Sequence, residues 1–219
     1  SEALRKKLDI IGITDHNSTR QAGLVGMLGA REGLFVLQGA EVSTREEVHC
    51  LVFFENPAEL EVFQEYLDDN IPAVMNDPLI FGDQVVIDEK EYIIYTEEKL
   101  LTNATNISIV ELEKYVHARG GLFIPAHIDR VRTSIYSQLG FLPEDLNADA
   151  LEVSKRSTPE KFSRIHPEIK AYPLITNSDS HYPESIGTVY NCLEMKELSF
   201  GEIKMALKGI DGRRIRKKC

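Results

Sequence analysis

The chain has 219 residues, 42% hydrophobic and 27% charged, enough for one sizeable core in an ordinary globular protein. Its formal net charge of −10 argues against a partner held by non-specific attraction to nucleic-acid phosphates or to an anionic membrane surface. No apolar run is long enough to cross a bilayer, so no membrane partner is expected, and the widely spaced Cys50, Cys192 and Cys219 read as free thiols of a cytoplasmic protein.

Residues 2 to 7 read as the end of a helix, and LDIIGIT at 8 to 14 as a buried strand. A weak, glycine-bearing helix follows near 18 to 31, then a strand near 34 to 41. Val48 to Phe54 is a further strand, and Ala58 to Leu67 a helix with Pro57 near its start. The segment 71 to 105 breaks this pattern. Its two β-rich runs, QVVID and EYIIYT, are separated by Glu89-Lys90 and read as a hairpin inserted between helical elements. Ser108 with Glu111 three residues on forms a capping box for a helix that Gly120-Gly121 ends.

Strands near 122 to 126, 149 to 153, 172 to 176 and 188 to 194 then alternate with helices near 131 to 139, 159 to 165 and 199 to 208. Such alternation predicts parallel βαβ units and an α/β fold. The basic run Arg213, Arg214, Arg216, Lys217 and Lys218 reads as a solvated, frayed tail.

Metal-ligand residue types sit beside these apolar runs. Asp15 and His16 follow the first strand, Glu41 ends the second, and His49 opens the third. His127 follows GGLFIPA, and Asp179 with His181 follows YPLITN. Ligand types at nearly every strand end favour a barrel, whose site gathers at one rim, over an open sheet with a single switch point. The mixture of imidazoles and carboxylates, without cysteine, suits Zn, Mn or Fe and argues against a structural zinc or an iron–sulfur cluster.

The segments ITDHN (13 to 17), GAEVST (39 to 44), EVHCL (47 to 51), PAHIDR (125 to 130) and NSDSH (177 to 181) occur in an order that resembles the PHP family, named for polymerase and histidinol phosphatase domains. The similarity runs from residue 8 to about 190, and within the family it looks most like the stand-alone metal-dependent phosphoesterases. The resemblance implies a distorted seven-stranded (β/α) TIM-like barrel over 1–219, with 71–105 as an insertion. It also implies a site for two or three divalent metal ions.

Carried over residue by residue, Glu41 bridges two metals and His49 and His127 complete the second. Asp179 ligates the first, and His16 and His181 hold a third. Asp15 orients a ligand or a water, and Asp15 or His181 is the candidate acid for the leaving oxygen. The implied reaction is hydrolysis of a phosphate ester, with hydroxide held between metals about 3.5–4 Å apart as nucleophile. The implied substrate is a small phosphorylated metabolite or a nucleotide, and the acidic charge argues against a nucleic-acid partner. Arg130 and Arg156 are candidates for the phosphate because a guanidinium grips it bidentately, and Asn17 is a further hydrogen-bonding candidate.

One departure stands out. Family members open with an HxH strand about two dozen residues before the TDH motif, and no HxH occurs here. The expectation is that an N-terminal piece precedes Ser1. The alternative is a non-catalytic metal- or ligand-binding regulatory module that has lost that strand. Taken singly, each histidine also reads as a capping or hydrogen-bonded residue, so the assignment rests on their joint order. His117, on an amphipathic helix, and His166, in a polar loop, are read as surface groups outside the site. The insertion is open to two roles, a lid or a homo-oligomer contact.

Overall fold

The computed structural model describes residues 1–216. Lys217, Lys218 and Cys219, and with them part of the expected basic tail, lie outside the described residues. The first half of the chain forms α1 (Glu2–Arg5), β1 (Ile10–His16), α2 (Ala22–Arg31), β2 (Phe35–Ser43), β3 (His49–Phe54) and α3 (Pro57–Asn70). The insertion contributes one helical turn, α4 (Pro78–Phe81), and the expected hairpin of β4 (Val85–Ile87) with β5 (Ile93–Thr96). Then come α5 (Ile109–Ala118), β6 (Leu122–Pro125), α6 (Ile135–Leu139), β7 (Leu151–Glu152) and α7 (Pro159–Ile165). β8 (Leu174–Ile175), β9 (Cys192–Glu194), α8 (Phe200–Lys208) and β10 (Arg214–Arg216) complete the described chain.

Local chemistry sets the helix starts. The Asn56 side chain accepts from Ala58 N, with Pro57 at the first helical position of α3, where the missing N–H costs nothing. Ser108 and Glu111 close their capping box at the start of α5.

The main sheet has the order β1-β2-β3-β6. β1 and β2 are parallel, but β3 is antiparallel to both β2 and β6, which corrects the expectation of uniformly parallel strands. The reason is the short link between Ser43 and His49. Thr44 N donates to Val48 O at 2.9 Å and closes a hairpin, whereas a parallel return needs a crossover of a dozen or more residues. The strand run continues past β6, because Asp149 N donates to Phe123 O (3.0 Å) and Ile128 N to Glu152 O (2.8 Å). β7 and β8 then pair in parallel. The architecture is mixed α/β. β1 is half-buried rather than fully buried, since among the described residues it pairs on one side only, with β2.

Alternation along the strands creates two apolar layers. Cys50, Val52 and Phe54 face helices α3 and α5 through Phe63, Leu67, Leu112 and Val116. Leu51, Phe53, Leu122 and Ile124 face the other way, onto Phe200, Ile203 and Leu207 of α8. Each such fully buried side chain contributes about 1.5–3 kcal/mol. Among the described residues no helix is long and apolar enough to cross a membrane. Cys50 is buried and free, whereas Cys192 takes part in a disulfide, contrary to the reading of all three cysteines as free thiols.

The basic run is not a frayed tail where it is described. Arg213 is buried and donates to both Glu202 oxygens, and Arg214 and Arg216 pair with Glu194 across the β9–β10 ladder. His117 is likewise more than a surface group. It bridges Glu113 (3.1 Å) and Asp149 (3.0 Å), tying α5 to the segment before β7.

The hydrogen bond to Asp149 raises the His117 pKa above 6.5, although burial opposes it. Burial pushes Asp149 up, but the hydrogen bonds from His117 and Phe123 N outweigh it and bring it below 3.8. The histidine's contribution is therefore full below pH 6.5 and lost as pH rises through its raised value. The carboxylate's is full above pH 3.8 and lost on acidification through its lowered value. We expect the wild-type melting temperature to fall as pH rises above 6.5 through the raised His117 value, and this fall to be flattened in His117→Gln, as read by thermal melts across that range.

Candidate metal centre

Strand direction places the ligand-type residues at one end of the sheet. In the parallel β1–β2 pair, His16 and Glu41 are register partners at the last positions of the ladder. β3 runs the opposite way, so its first residue, His49, reaches the same end. β6 ends at Pro125, and two residues later His127 turns inward with a φ of +32°. Asn17 (+47°) and Asp179 (+46°) are also in the left-handed region. Such backbone costs about 1–3 kcal/mol per residue and persists where the surroundings impose it, commonly at functional sites.

Glu41 is the hub. Its Oε1 lies 3.1 Å from His49 Nδ1 and 3.1 Å from His127 Nε2, and its Oε2 lies 3.5 Å from His16 Nδ1. The His16 and His49 rings are 5.2 Å apart, as are those of His49 and His127. Ligand atoms of His16, Glu41 and His49 all fall within 4.8 Å of one another.

Burial works to raise the Glu41 pKa. Hydrogen bonds from His127 and His49 and the nearby imidazole charges more than reverse it and hold the carboxyl far below its ordinary range. Burial keeps His16 neutral by lowering its pKa, with Glu41 opposing. A neutral imidazole beside an ionised carboxylate is the protonation state that metal ligation requires. Among the described residues His127 Nδ1 is buried without a hydrogen-bond partner, so the innermost imidazole has an unused donor atom. Nitrogen and oxygen donors converging in this way fit a divalent transition metal.

The remaining expected residues are placed differently. Asp179 and His181 stand at the same mouth, near enough for their charges to act on His16, but neither contacts the Glu41 cluster. Asp179 is instead held by the Arg130 guanidinium, and the His181 side chain is 64% exposed. Asp15 faces away, because its register partner is Ala40, on the helix-facing side of β2. It lines a cavity of about 300 Å³ shared with Arg20, Gln84 and Glu97, where burial raises its pKa.

Asn17 is fully buried, and its amide is already engaged. It donates to Leu101 O and Asn103 O and accepts from Ser43 N, which pins the end of the insertion to the tips of β1 and β2. Its nitrogen is thus committed to the insertion and its oxygen to β2. Arg156 is exposed just beyond β7, beside Lys155, whose ammonium donates to Ser178 O.

Sequence reasoning missed Glu152. It is 3% exposed, accepts from His127 N (2.8 Å) with one oxygen and from Asn177 Nδ2 (2.8 Å) with the other. Asn177 in turn accepts from Asn191. The chain thus fixes the His127 turn and the loop that carries Asp179. The available signal was an acid inside the apolar run Ala150-Leu151-Glu152-Val153, since a charge buried in a strand must have partners. Losing such an outer partner typically costs 10–100-fold in metal affinity. Glu152→Ala is expected to weaken metal binding by about that factor, measured by calorimetric titration, and wild-type affinity in the variant would remove it from the site.

No protein-family model matches the chain. It is 28% identical over 190 residues to the uncharacterized protein YqxK of Bacillus subtilis (strain 168), a match covering 82% of this chain and 43% of that protein. Among solved structures, it is similar to the lesion-specific endonuclease EndoQ of Pyrococcus furiosus, with a TM-score of 0.69 and 21% identity over 98% of this chain and 51% of that one. Endonuclease Q in complex with a 27-mer duplex bearing an abasic lesion gives a TM-score of 0.68 at 20% identity, over 97% of this chain and 51% of that one. A proposed metal-dependent phosphoesterase from Bifidobacterium adolescentis gives 0.57 at 18% identity, over 86% of this chain and 84% of that one.

The fold is PHP-like. At these identities the likeness is one of fold, and the chain spans about half the length of YqxK and of endonuclease Q. The PHP-like arrangement accounts for the order of the ligand-bearing segments along the strand run. A solved PHP-like neighbour in complex with a DNA duplex also removes the ground for setting nucleic acid aside, which rested on net charge alone.

Proposed function

We propose that this chain hydrolyses phosphate esters with two or three divalent ions, of Zn, Mn or Fe type, at the rim where Glu41 stands. The observation that carries the reading is the convergence of three imidazoles on one buried carboxylate. In this proposal Glu41 would be shared between two ions, with His49 and His127 as further ligands of one and Asp179 of the other, and His16 and His181 would hold a third. The strand run then belongs to a distorted seven-stranded barrel. When bound, such ions neutralise phosphoryl oxygens and lower the pKa of water to near neutrality.

The chain's own residues supply the remainder. Glu152 holds the His127 turn, and Arg130, beside Asp179, is positioned to share its guanidinium with a phosphoryl oxygen. Where it does not hold an ion, His181, exposed at the mouth, is the proposed group to protonate a leaving oxygen.

Two substrate classes compete, small phosphorylated metabolites or nucleotides on one side and the phosphodiester of damaged DNA on the other. The second is favoured by one observation: the endonuclease Q structures cover nearly the whole chain at a higher TM-score than the phosphoesterase does. The test is to strip the protein with chelator, reload it with Zn, Mn or Fe, and assay p-nitrophenyl phosphate, its bis ester and duplex oligonucleotides with or without an abasic site. Metal-dependent turnover supports the proposal, and the preferred substrate picks the class. Tight metal binding with no turnover on any of them would instead favour the non-catalytic module.

A further inference from the structure

At the opposite end of the strands from Glu41 lies a cavity of about 670 Å³, outside the candidate metal centre and beside the His117–Asp149 pair. Its walls come from the starts of β6, β7 and β8 and from the last turns of α5 and α8. The volume is within the roughly 300–1,000 Å³ typical of small-molecule sites.

The walls carry three lysines, Lys170, Lys204 and Lys208, in a chain whose net charge is −10. Elsewhere in the fold, basic side chains commonly face an acid: Arg20 meets Asp68, Arg130 meets Asp179 and Arg213 meets Glu202. Here the acids are diverted. Glu113 points at His117, and Asp149, which also lines the cavity, accepts from His117 and Phe123 N through one oxygen while its charge acts with that of Lys204, so a single carboxylate faces three lysines. Lys204 is pinned to the wall by donating to Gly120 O at 2.9 Å. The Lys170 and Lys208 ammonium groups have neither an ion pair nor a hydrogen bond among the described residues. Asn147, whose amide nitrogen lies 3.4 Å from His117 Nδ1, and Tyr172 are also in the lining.

We propose that this cavity binds a small phosphorylated anion between Lys170 and Lys208, with Lys204 and Asn147 at its side. Unpaired ammonium groups facing one concavity repel each other, and an anion seated between them relieves that repulsion. Each ammonium offers three donors to phosphate oxygens. This inference is independent of the metal chemistry proposed above.

The experiment uses chelator-stripped protein in phosphate-free buffer, titrated with pyrophosphate and then with ADP. Binding is read by calorimetry and by amide NMR shifts, with Arg130→Ala and Lys170→Ala/Lys208→Ala run in parallel. Both substituted lysines are exposed, so the double variant should fold, and circular dichroism checks that it does. The expected result is binding in the wild type and in Arg130→Ala that weakens by roughly tenfold or more in the lysine double variant, with shifts gathered at Gly121, Asn147 and Ala148. Tighter binding of ADP than of pyrophosphate would indicate a nucleotide rather than inorganic phosphate. A wild-type Kd above about 10 mM for both probes overturns the proposal, as does an affinity that the lysine substitutions leave unchanged.

Discussion

Replacing Glu41 with Gln is expected to abolish metal loading of the cluster while leaving the fold in place. The substitution keeps the shape of the side chain and removes only its charge. That charge is the acceptor for His49 and His127 and lies 3.5 Å from His16, so it is the one group common to all three imidazoles. Loss of a partner outside the ligand shell costs 10–100-fold in metal affinity, and loss of the carboxylate common to the proposed ligands is expected to exceed about 100-fold. Metal-dependent turnover should fall with it, to the level of chelated wild type.

Metal content by elemental analysis, calorimetric affinity and far-UV circular dichroism together decide the matter. A correctly folded Glu41→Gln protein that binds metal as tightly as the wild type would mean that the cluster is only a hydrogen-bonded knot of histidines. Mild acidification does not mimic the substitution, because the Glu41 carboxyl stays ionised well below its ordinary range.

The second large effect is structural and lies two residues away. A Cβ on Gly39 would sit 1.8 Å from Val52 O and 2.9 Å from the Phe53 ring, inside the β2–β3 ladder. The first of these neighbours is backbone and cannot swing aside, so Gly39→Ala must spread the two strands. Overpacking of this kind costs roughly 3 kcal/mol or more. In a chain of this length that lowers the melting temperature by about 6–12 °C.

Glu41 and His49 are anchored on the strands being forced apart, so metal affinity should drop in the same variant. Gly23→Ala is the control. No heavy atom lies within 4 Å of a Cβ there and the residue is in α2, so a gain of about 0.4–1 kcal/mol is expected. Equal melting temperatures for Gly39→Ala and wild type would show that the β2–β3 contact is looser than described.

Much of the fold was legible because its signals are local. The capping box at Ser108, the Pro57 start of α3 and the insertion hairpin follow from side chains within a few residues of one another, and all three are present. The direction of β3 departs from the parallel pairing that alternating strands and helices suggest, because the link after Ser43 is too short for a crossover. Asn17 and Asp15 were misplaced for a related reason. Adjacent residues at a strand end point to opposite faces, and only pairing with β2 decides that His16 joins Glu41 while Asp15 turns to the insertion. His117 and Arg213 looked like surface charges because their partners, Asp149 and Glu202, are 32 and 11 residues away.

By itself the sequence determined which residue types end each strand, and so that a set of imidazoles and carboxylates would be available for a metal. It also determined the helix caps and the inserted hairpin, since these depend on neighbours along the chain. Only the tertiary structure decided which members of the set meet, because convergence depends on strand direction and register, which couple residues as far apart as Glu41 and His127. It alone showed Glu152 beneath the His127 turn and three lysines facing one cavity, because a buried acid acquires its partners, and a cation loses its own, only when distant segments pack together.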